Sequence, residues 1–295
     1  MNTETPESTG SSTLPGLPFL KMQAHGNDFV IIDCRDDDAG PFDADWVRAV
    51  SDRHRGVGFD QMAVLRDPGD PGDPGRPAAD VRVDFRNADG SVSATCGNAT
   101  RCIGRALIEE TGRRQVYVET AHDVLAVRAV DDRTYAVNMG NPRLTWPEIP
   151  LAREVDPLAL PIKGSPVAVG MGNPHCVFLV EDSELPDPAV RGPSIETHPL
   201  FPERTNVEFV RVLDRETLQV RIWERGTGVT LASGSGSCAA AVAAHLRGQT
   251  GRRVQVHLDG GMMVIDWQAD GIWMEGEARV VFSGILEPEF LELRP

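Results

Sequence analysis

Two stretches decide how this chain folds: Thr95-Cys-Gly-Asn-Ala-Thr-Arg-Cys102 and Ala232-Ser-Gly-Ser-Gly-Ser-Cys238. Each runs from a strand-like segment through a small residue and a glycine into an apolar helix pattern. They stand roughly half the chain apart, which suggests two similar lobes, each presenting a helix N-terminus at a shared cleft. A helix start carries unpaired backbone N–H groups and a partial positive charge. Two of them facing each other would cradle a carboxylate from both sides. The same field is expected to lower the pKa of the Cys96 thiol.

Outward from these stretches, the first helix reads as residues 100–110, with Cys102, Ile103, Ala106 and Leu107 on one stripe. The second reads as residues 237–247 and is apolar almost all round, so it should be wrapped by sheet. A third spans residues 44–53, capped near Asp43. Short runs of alternating apolar and polar residues fill the rest, as strands covered on one face should. They lie at 28–33, 62–65, 81–85, 115–119, 124–129 and 135–139 in the first half. In the second half they lie at 167–171, 176–180, 207–213, 218–223, 254–258, 263–267, 272–277 and 278–282. The threefold Asp-Pro-Gly repeat of residues 67–75 reads as a solvated hairpin loop. Residues 139–150 read as the linker between lobes, and the Thr/Ser/Pro-rich residues 1–17 as a disordered tail.

Composition narrows the function. A net charge of -15 argues against a nucleic-acid or anionic-membrane surface. No run approaches a membrane span, and the N-terminus lacks the pattern of an export signal, so a cytoplasmic, reducing location is expected. The five cysteines are then thiols, with Cys34, Cys102 and Cys176 read as small buried hydrophobes. Lysine occurs only at positions 21 and 163, neither suited to a pyridoxal Schiff base. Glycine-rich dinucleotide and nucleotide loops are absent, and His and Cys do not fall at zinc spacing, so coenzyme and metal readings are weak.

Without a cofactor, the proton on an amino acid's α-carbon is hard to remove, because the carbanion has no electron sink. Help must come from N–H groups on the carboxylate, a dry site and placed bases. Inverting the centre needs one base on each face. Cysteines on opposed lobes suit this, one as thiolate and one as thiol.

Eight motifs in order then make the chain resemble the diaminopimelate epimerase family from about Leu20 to the C-terminus. They are Gly26-Asn-Asp-Phe29, Arg55-Gly-Val-Gly-Phe-Asp-Gln61, Asn87-Ala-Asp-Gly-Ser91, Cys96-Gly-Asn98, Gly172-Asn-Pro-His175, Thr205-Asn-Val207, Glu224-Arg-Gly226 and Ala232-Ser-Gly-Ser-Gly236. The resemblance implies an α+β fold of two pseudo-symmetric lobes, each a mixed, mainly antiparallel sheet curled around a central helix, with the site in the cleft. The N-terminal lobe would be residues 18–141 with 279–295, and the C-terminal lobe 142–278. By resemblance Cys96 is a catalytic base and Ser233 stands at the position of the second, with His175 and Glu224 beside them. Backbone of Gly97, Asn98, Gly234 and Ser235 would hold the reacting carboxylate. Asn27, Gln61, Asn87, Asn173, Asn206, Glu224 and Arg225 would bind the rest of the substrate. The resemblance further implies interconversion of LL- and meso-diaminopimelate in lysine biosynthesis, a small-molecule amino-acid substrate, no cofactor and a homodimer.

Ser233 is the main departure, since that position is cysteine in the family. A serine hydroxyl is a weaker acid than a thiol, and the sequence offers it no obvious base. The chain is therefore expected to handle the Cys96 face well and invert poorly. Three explanations stay open: a replacement that traps substrate in an ordinary epimerase, a natural one-base dehydratase, or a non-catalytic binder of a related amino acid such as a hydroxyproline.

Overall fold

The computed structural model describes residues 16–36, 42–68, 78–181 and 185–291. The N-terminal half is built from β1 (Leu17–Ala24), β2 (Asn27–Asp33), α1 (Ala44–Ser51), β3 (Gln61–Arg66), β4 (Val81–Asn87), β5 (Val92–Ser93), α2 (Gly97–Thr111), β6 (Gln115–Glu119), β7 (Val124–Ala129) and β8 (Thr134–Asn138). The C-terminal half has β9 (Val167–Gly170), β10 (Pro174–Leu179), α3 (Pro188–Glu196), β11 (Asn206–Asp214), β12 (Thr217–Glu224), β13 (Gly228–Thr230), α4 (Gly234–Leu246), β14 (Arg253–Leu258), β15 (Gly261–Gln268) and β16 (Gly271–Glu277). Strand β17 (Arg279–Leu286) and the short α5 (Pro288–Leu291) complete the chain.

The two halves repeat element for element. In the first, β2 runs parallel to β3 and β4 parallel to β6, while β1–β2, β3–β4, β6–β7 and β7–β8 are antiparallel. In the second, β10 runs parallel to β11 and β12 parallel to β14, with β9–β10, β11–β12, β14–β15 and β15–β16 antiparallel. Each parallel step is bridged by a helix: α1 and α3 for the first, α2 and α4 for the second. The turns opening β2 and β10 match as well, since Gly26 (φ 81°) and Gly172 (φ 87°) both take the left-handed backbone that favours glycine. Pairing of β8 with β16 fuses the lobes, and β17 returns to pair with β1.

Strand alternation sorts side chains into layers. In β2, Phe29 and Ile31 point to the core around α2, whereas Val30 and Ile32 pack under α1 with Trp46, Val47 and Val50. In β10, Val177 packs in the core that holds α4, and Cys176 and Phe178 face the outer cluster of Ile149, Leu200, Phe201 and Phe209. Burial on both faces explains apolar runs such as Val167–Gly170. The apolar helix α4 is buried from Gly236 to Ala244, as its composition required.

Several boundaries differ from the sequence reading. Helices α2 and α4 start at Gly97 and Gly234, three residues before the expected 100 and 237. Gly, Asn and Ser are weak helix formers that hide a first turn made possible by its cap. Helix α1 ends at Ser51, before the expected 53, and its cap is Asp43, whose Oδ1 accepts from Trp46 N at 2.9 Å. Strands β1, β5 and β13 and helices α3 and α5 were not expected; Gly192 and Pro193 disguise α3. Leu17, assigned to the tail, opens β1 and pairs with Leu286, while residues 1–15 lie outside the described residues. Most of the 67–75 loop also lies outside them. The 139–150 connection is packed rather than free: Met139 N donates to Ile272 O at 2.8 Å, and Ile149 is fully buried.

Candidate active site

The repeat brings the sequence-selected residues into matching places on the two lobes. Register decides this. Phe29 pairs with Gln61 and Gln61 with Asn87; likewise His175 pairs with Asn206, and the Val207–Trp223 pair sets Asn206 beside Glu224. Asn27, Gln61 and Asn87 in one lobe thus correspond to Asn173, Asn206 and Glu224 in the other. Cys96 corresponds to Ser233.

Both of these last residues are helix caps with extended backbone. Cys96 Sγ accepts from Ala99 N at 3.4 Å, and Ser233 Oγ accepts from Gly236 N at 3.3 Å. The N–H groups of Gly97, Asn98, Gly234 and Ser235 are the ones that the first turn leaves without helical partners. Gly97 and Gly234 rest on the same thioether. A Cβ on Gly97 would stand 3.0 Å from Met274 Cε, and one on Gly234 2.8 Å from Met274 Sδ. The two helix starts therefore meet over one side chain of β16.

Polar side chains knit each half of the site. Asn27 Nδ2 donates to Asp60 Oδ2 (2.8 Å), Asn98 Nδ2 approaches Asn27 Oδ1 (3.4 Å), and Gln61 Nε2 donates to Asn87 Oδ1 (2.8 Å). Asn206 accepts from Arg225 N (2.9 Å) and donates to Pro174 O (3.1 Å), so it ties the Gly172–His175 segment to the end of β12. His175 is fully buried, with Nδ1 2.7 Å from Glu208 Oε1 and Nε2 2.8 Å from Asn173 Oδ1. Arg225 is exposed and borders a cavity of about 310 Å³ shared with Arg143, Glu148, Asn173 and Glu203.

Two electrostatic expectations change. Cys96 is half-buried, and desolvation pushes its thiol up to about 11, outweighing the Ala99 N–H and helped by the facing Glu224. The helix field that the sequence favours is thus outweighed by burial. Ser233 also has a neighbour that the sequence did not reveal, for its hydroxyl lies close enough to the Glu224 carboxylate to favour the charged form. Burial raises the Glu224 carboxyl above the usual range, opposed by the Ser233 hydroxyl and by His175. Glu208 is raised by burial too, with His175 pulling the other way. Glu208, Met274 and Arg101 were missed by sequence reasoning. Their only sequence signal was a polar residue at an inward strand position for Glu208, and nothing distinctive for the others.

Such an arrangement can accept a carboxylate between two helix starts, with a thiol and a hydroxyl beside it. A two-lobed α+β fold with this repeat defines a class of proteins that contains epimerases and isomerases. It aligns with methylitaconate delta-isomerase (TM-score 0.63, 16% identity, 96% of this chain and 98% of that one). It also aligns with a hydroxyproline epimerase from Agrobacterium vitis bound to trans-4-hydroxy-L-proline (TM-score 0.61, 14% identity, 92% and 93%). At such identities the likeness is one of fold. Within that class, the chain belongs to the diaminopimelate epimerase family, whose sequence profile matches residues 19–145 and 167–281. It is 46% identical over 278 residues to the diaminopimelate epimerase of Rhodospirillum centenum, covering 92% of this chain and 93% of that one. The Phenylobacterium zucineum enzyme of the same name is 44% identical over 286 residues, covering 93% and 99%.

No helix among the described residues is long and apolar enough to cross a membrane.

Proposed function

We propose that the chain is a cofactor-independent epimerase that interconverts LL- and meso-diaminopimelate for lysine biosynthesis in the cytoplasm. The observation that carries this reading is the pair of equivalent helix caps, Cys96 and Ser233, whose adjoining glycines share Met274. The reacting carboxylate lies on the N–H groups of Gly97, Asn98, Gly234 and Ser235, which stabilise negative charge as the α-proton leaves. Cys96 works on one face of the carbon. On the other, Ser233 relays a proton between carbon and Glu224, whose carboxyl is raised above the usual range by burial. Asn27, Gln61 and Asn87 bind from the first lobe. Asn173, Asn206 and Arg225 bind from the second, with His175 as a hydrogen-bonding neighbour. The cavity beside Arg225 has room and charge for a second carboxylate, which a small cyclic amino acid lacks. No metal or coenzyme takes part in this scheme. Residues 18–141 with 279–295 form one lobe and 142–278 the other, and two copies associate as a homodimer.

The test is α-hydrogen exchange in deuterated water with each diaminopimelate stereoisomer, for this chain and Ser233→Cys. Exchange is expected to be faster from the isomer whose proton faces Cys96, with slow inversion. Inversion should rise about a hundredfold in Ser233→Cys, the scale of a well-matched acid–base group. Exchange by neither protein would overturn the assignment of substrate.

A further inference from the structure

Helix α2 carries a charge that the site as described does not use. Arg101 is fully buried. Its Nη2 donates to Asn98 Oδ1 at 3.1 Å and lies 3.0 Å from His25 Nδ1, while Nε and Nη1 have no hydrogen-bond partner among the described residues. No carboxylate pairs with it there. A buried cation lacking a counter-ion is costly, so the groups that it faces are informative. They are Cys96 and Cys102 on its own helix, Cys238 on α4 and His25 on the turn before β2.

Three of these four are unsuited to be its anion. Cys102 and Cys238 are fully buried among apolar side chains, so neither meets the cleft where an anion would be used. His25 meets Arg101 through a ring nitrogen that must accept, because guanidinium only donates. Cys96 remains, partly open to the cleft, with Glu224 of β12 as the opposing charge that also faces it.

The repeat sharpens the point. Arg101 stands five residues after the Cys96 cap, and Cys238 stands five residues after the Ser233 cap. The second lobe thus has a neutral thiol where the first has a cation. Behind Ser233 lie Glu224, and beyond it Glu208 paired with His175. The lobes match in backbone and differ in buried charge.

We propose that Arg101 is a positioning residue and the counter-ion of the Cys96 thiolate: its buried charge makes the first lobe the anionic face of the site, and its Nη2 fixes Asn98 at the helix start. In the step it serves, the substrate's Cα–H bond breaks, its electron pair stays on the substrate, and the proton forms the S–H bond of Cys96. This rests on the reading of Cys96 as a proton carrier, but its test needs no substrate and so fails separately from that reading.

The test is alkylation of the full chain by iodoacetamide from about pH 7 to about pH 10.5, read at each cysteine by peptide mass spectrometry. At about pH 8, Arg101→Met should alkylate Cys96 about tenfold more slowly than the parent, the scale of one unit of thiol pKa. Arg101→Lys should stay within about threefold of the parent, because it keeps the charge. Equal rates for the parent and Arg101→Met would overturn the proposal. So would an Arg101→Lys chain as slow as Arg101→Met. If Arg101→Met loses its fold, seen as alkylation of Cys102 and Cys238, then Arg101→Gln supplies the neutral arm with a donor kept for Asn98. A tenfold slowing there supports the proposal, and the parent rate overturns it.

Discussion

Gly97 and Gly234 begin the two central helices and rest on one thioether, so the spacing of the helix starts is set by Met274. Substituting either glycine tests how far that spacing matters. A Cβ on Gly97 would meet Met139 Sδ at 2.9 Å as well as Met274 Cε at 3.0 Å, whereas one on Gly234 meets only the end of Met274. Gly97→Ala must move two side chains and Gly234→Ala one flexible terminus. Thermal melts should show a loss of about 2 kcal/mol for the first and about 1 kcal/mol or less for the second, within the range for overpacking. Isotope exchange should fall more in Gly97→Ala; equal effects would count against Met139 as a second support.

Glu224 is the next group to remove. Glu224→Gln leaves Ser233 with a hydrogen-bond partner but no base. Inversion of diaminopimelate is expected to fall about a hundredfold, while exchange on the Cys96 face persists. Loss of the facing carboxylate should also ease ionisation of Cys96, because that charge raises its pKa. Faster alkylation of Cys96 in Glu224→Gln would check this directly, and an unchanged rate would contradict the placement.

These groups differ in how legible they were in the sequence. The helix starts could be read because Cys96-Gly and Ser233-Gly interrupt a strand pattern before an apolar run. Strands such as Val124–Ala129 were visible because one face is covered and alternation survives. The element-by-element repeat was not visible, since it lives in strand pairing and leaves few repeated residues beyond the helix starts and the Gly26-Asn27 and Gly172-Asn173 turns. Arg101 looked like an ordinary polar residue on an amphipathic helix, and only tertiary burial separates it from Arg105. The rise in the Cys96 pKa was missed because sequence supplies the helix field but not the desolvation that outweighs it.

His25 gives the fold a pH dependence. Its ring is wedged between Arg101 and Met262 O, and burial, then the Arg101 charge, lowers its pKa to about 4. The unfolded chain binds this proton near pH 6.5. Between those values the unfolded state holds more protons, so the stabilisation is complete above about pH 6.5 and is lost as pH falls toward about 4. With allowance for partial exposure this amounts to about 2 kcal/mol, or about 5 °C in Tm. Asn tolerates the positive φ of His25 (53°), so His25→Asn isolates the titration from backbone strain. Melts of parent and variant should converge as pH drops from about 7 to about 4, and parallel curves would show that His25 does not titrate in this window.

Strand β17 offers the last test, that of the homodimer. It pairs with β1 alone, so its outer edge is unpaired among the described residues. Val280, Val281, Phe282 and Ile285 are 41–61% exposed along it, on both faces of the strand. An unpaired apolar edge is a template for another strand, and a second copy pairing edge to edge would cover both. Val281→Lys adds a charge there while leaving the Phe19–Phe282 ring contact in place. Sedimentation of the parent at micromolar concentration should give the dimer, and Val281→Lys should shift it to monomer by raising the dissociation constant at least about a hundredfold, as two buried charges per symmetric interface imply. Dimers that persist in Val281→Lys would move the interface elsewhere on the surface.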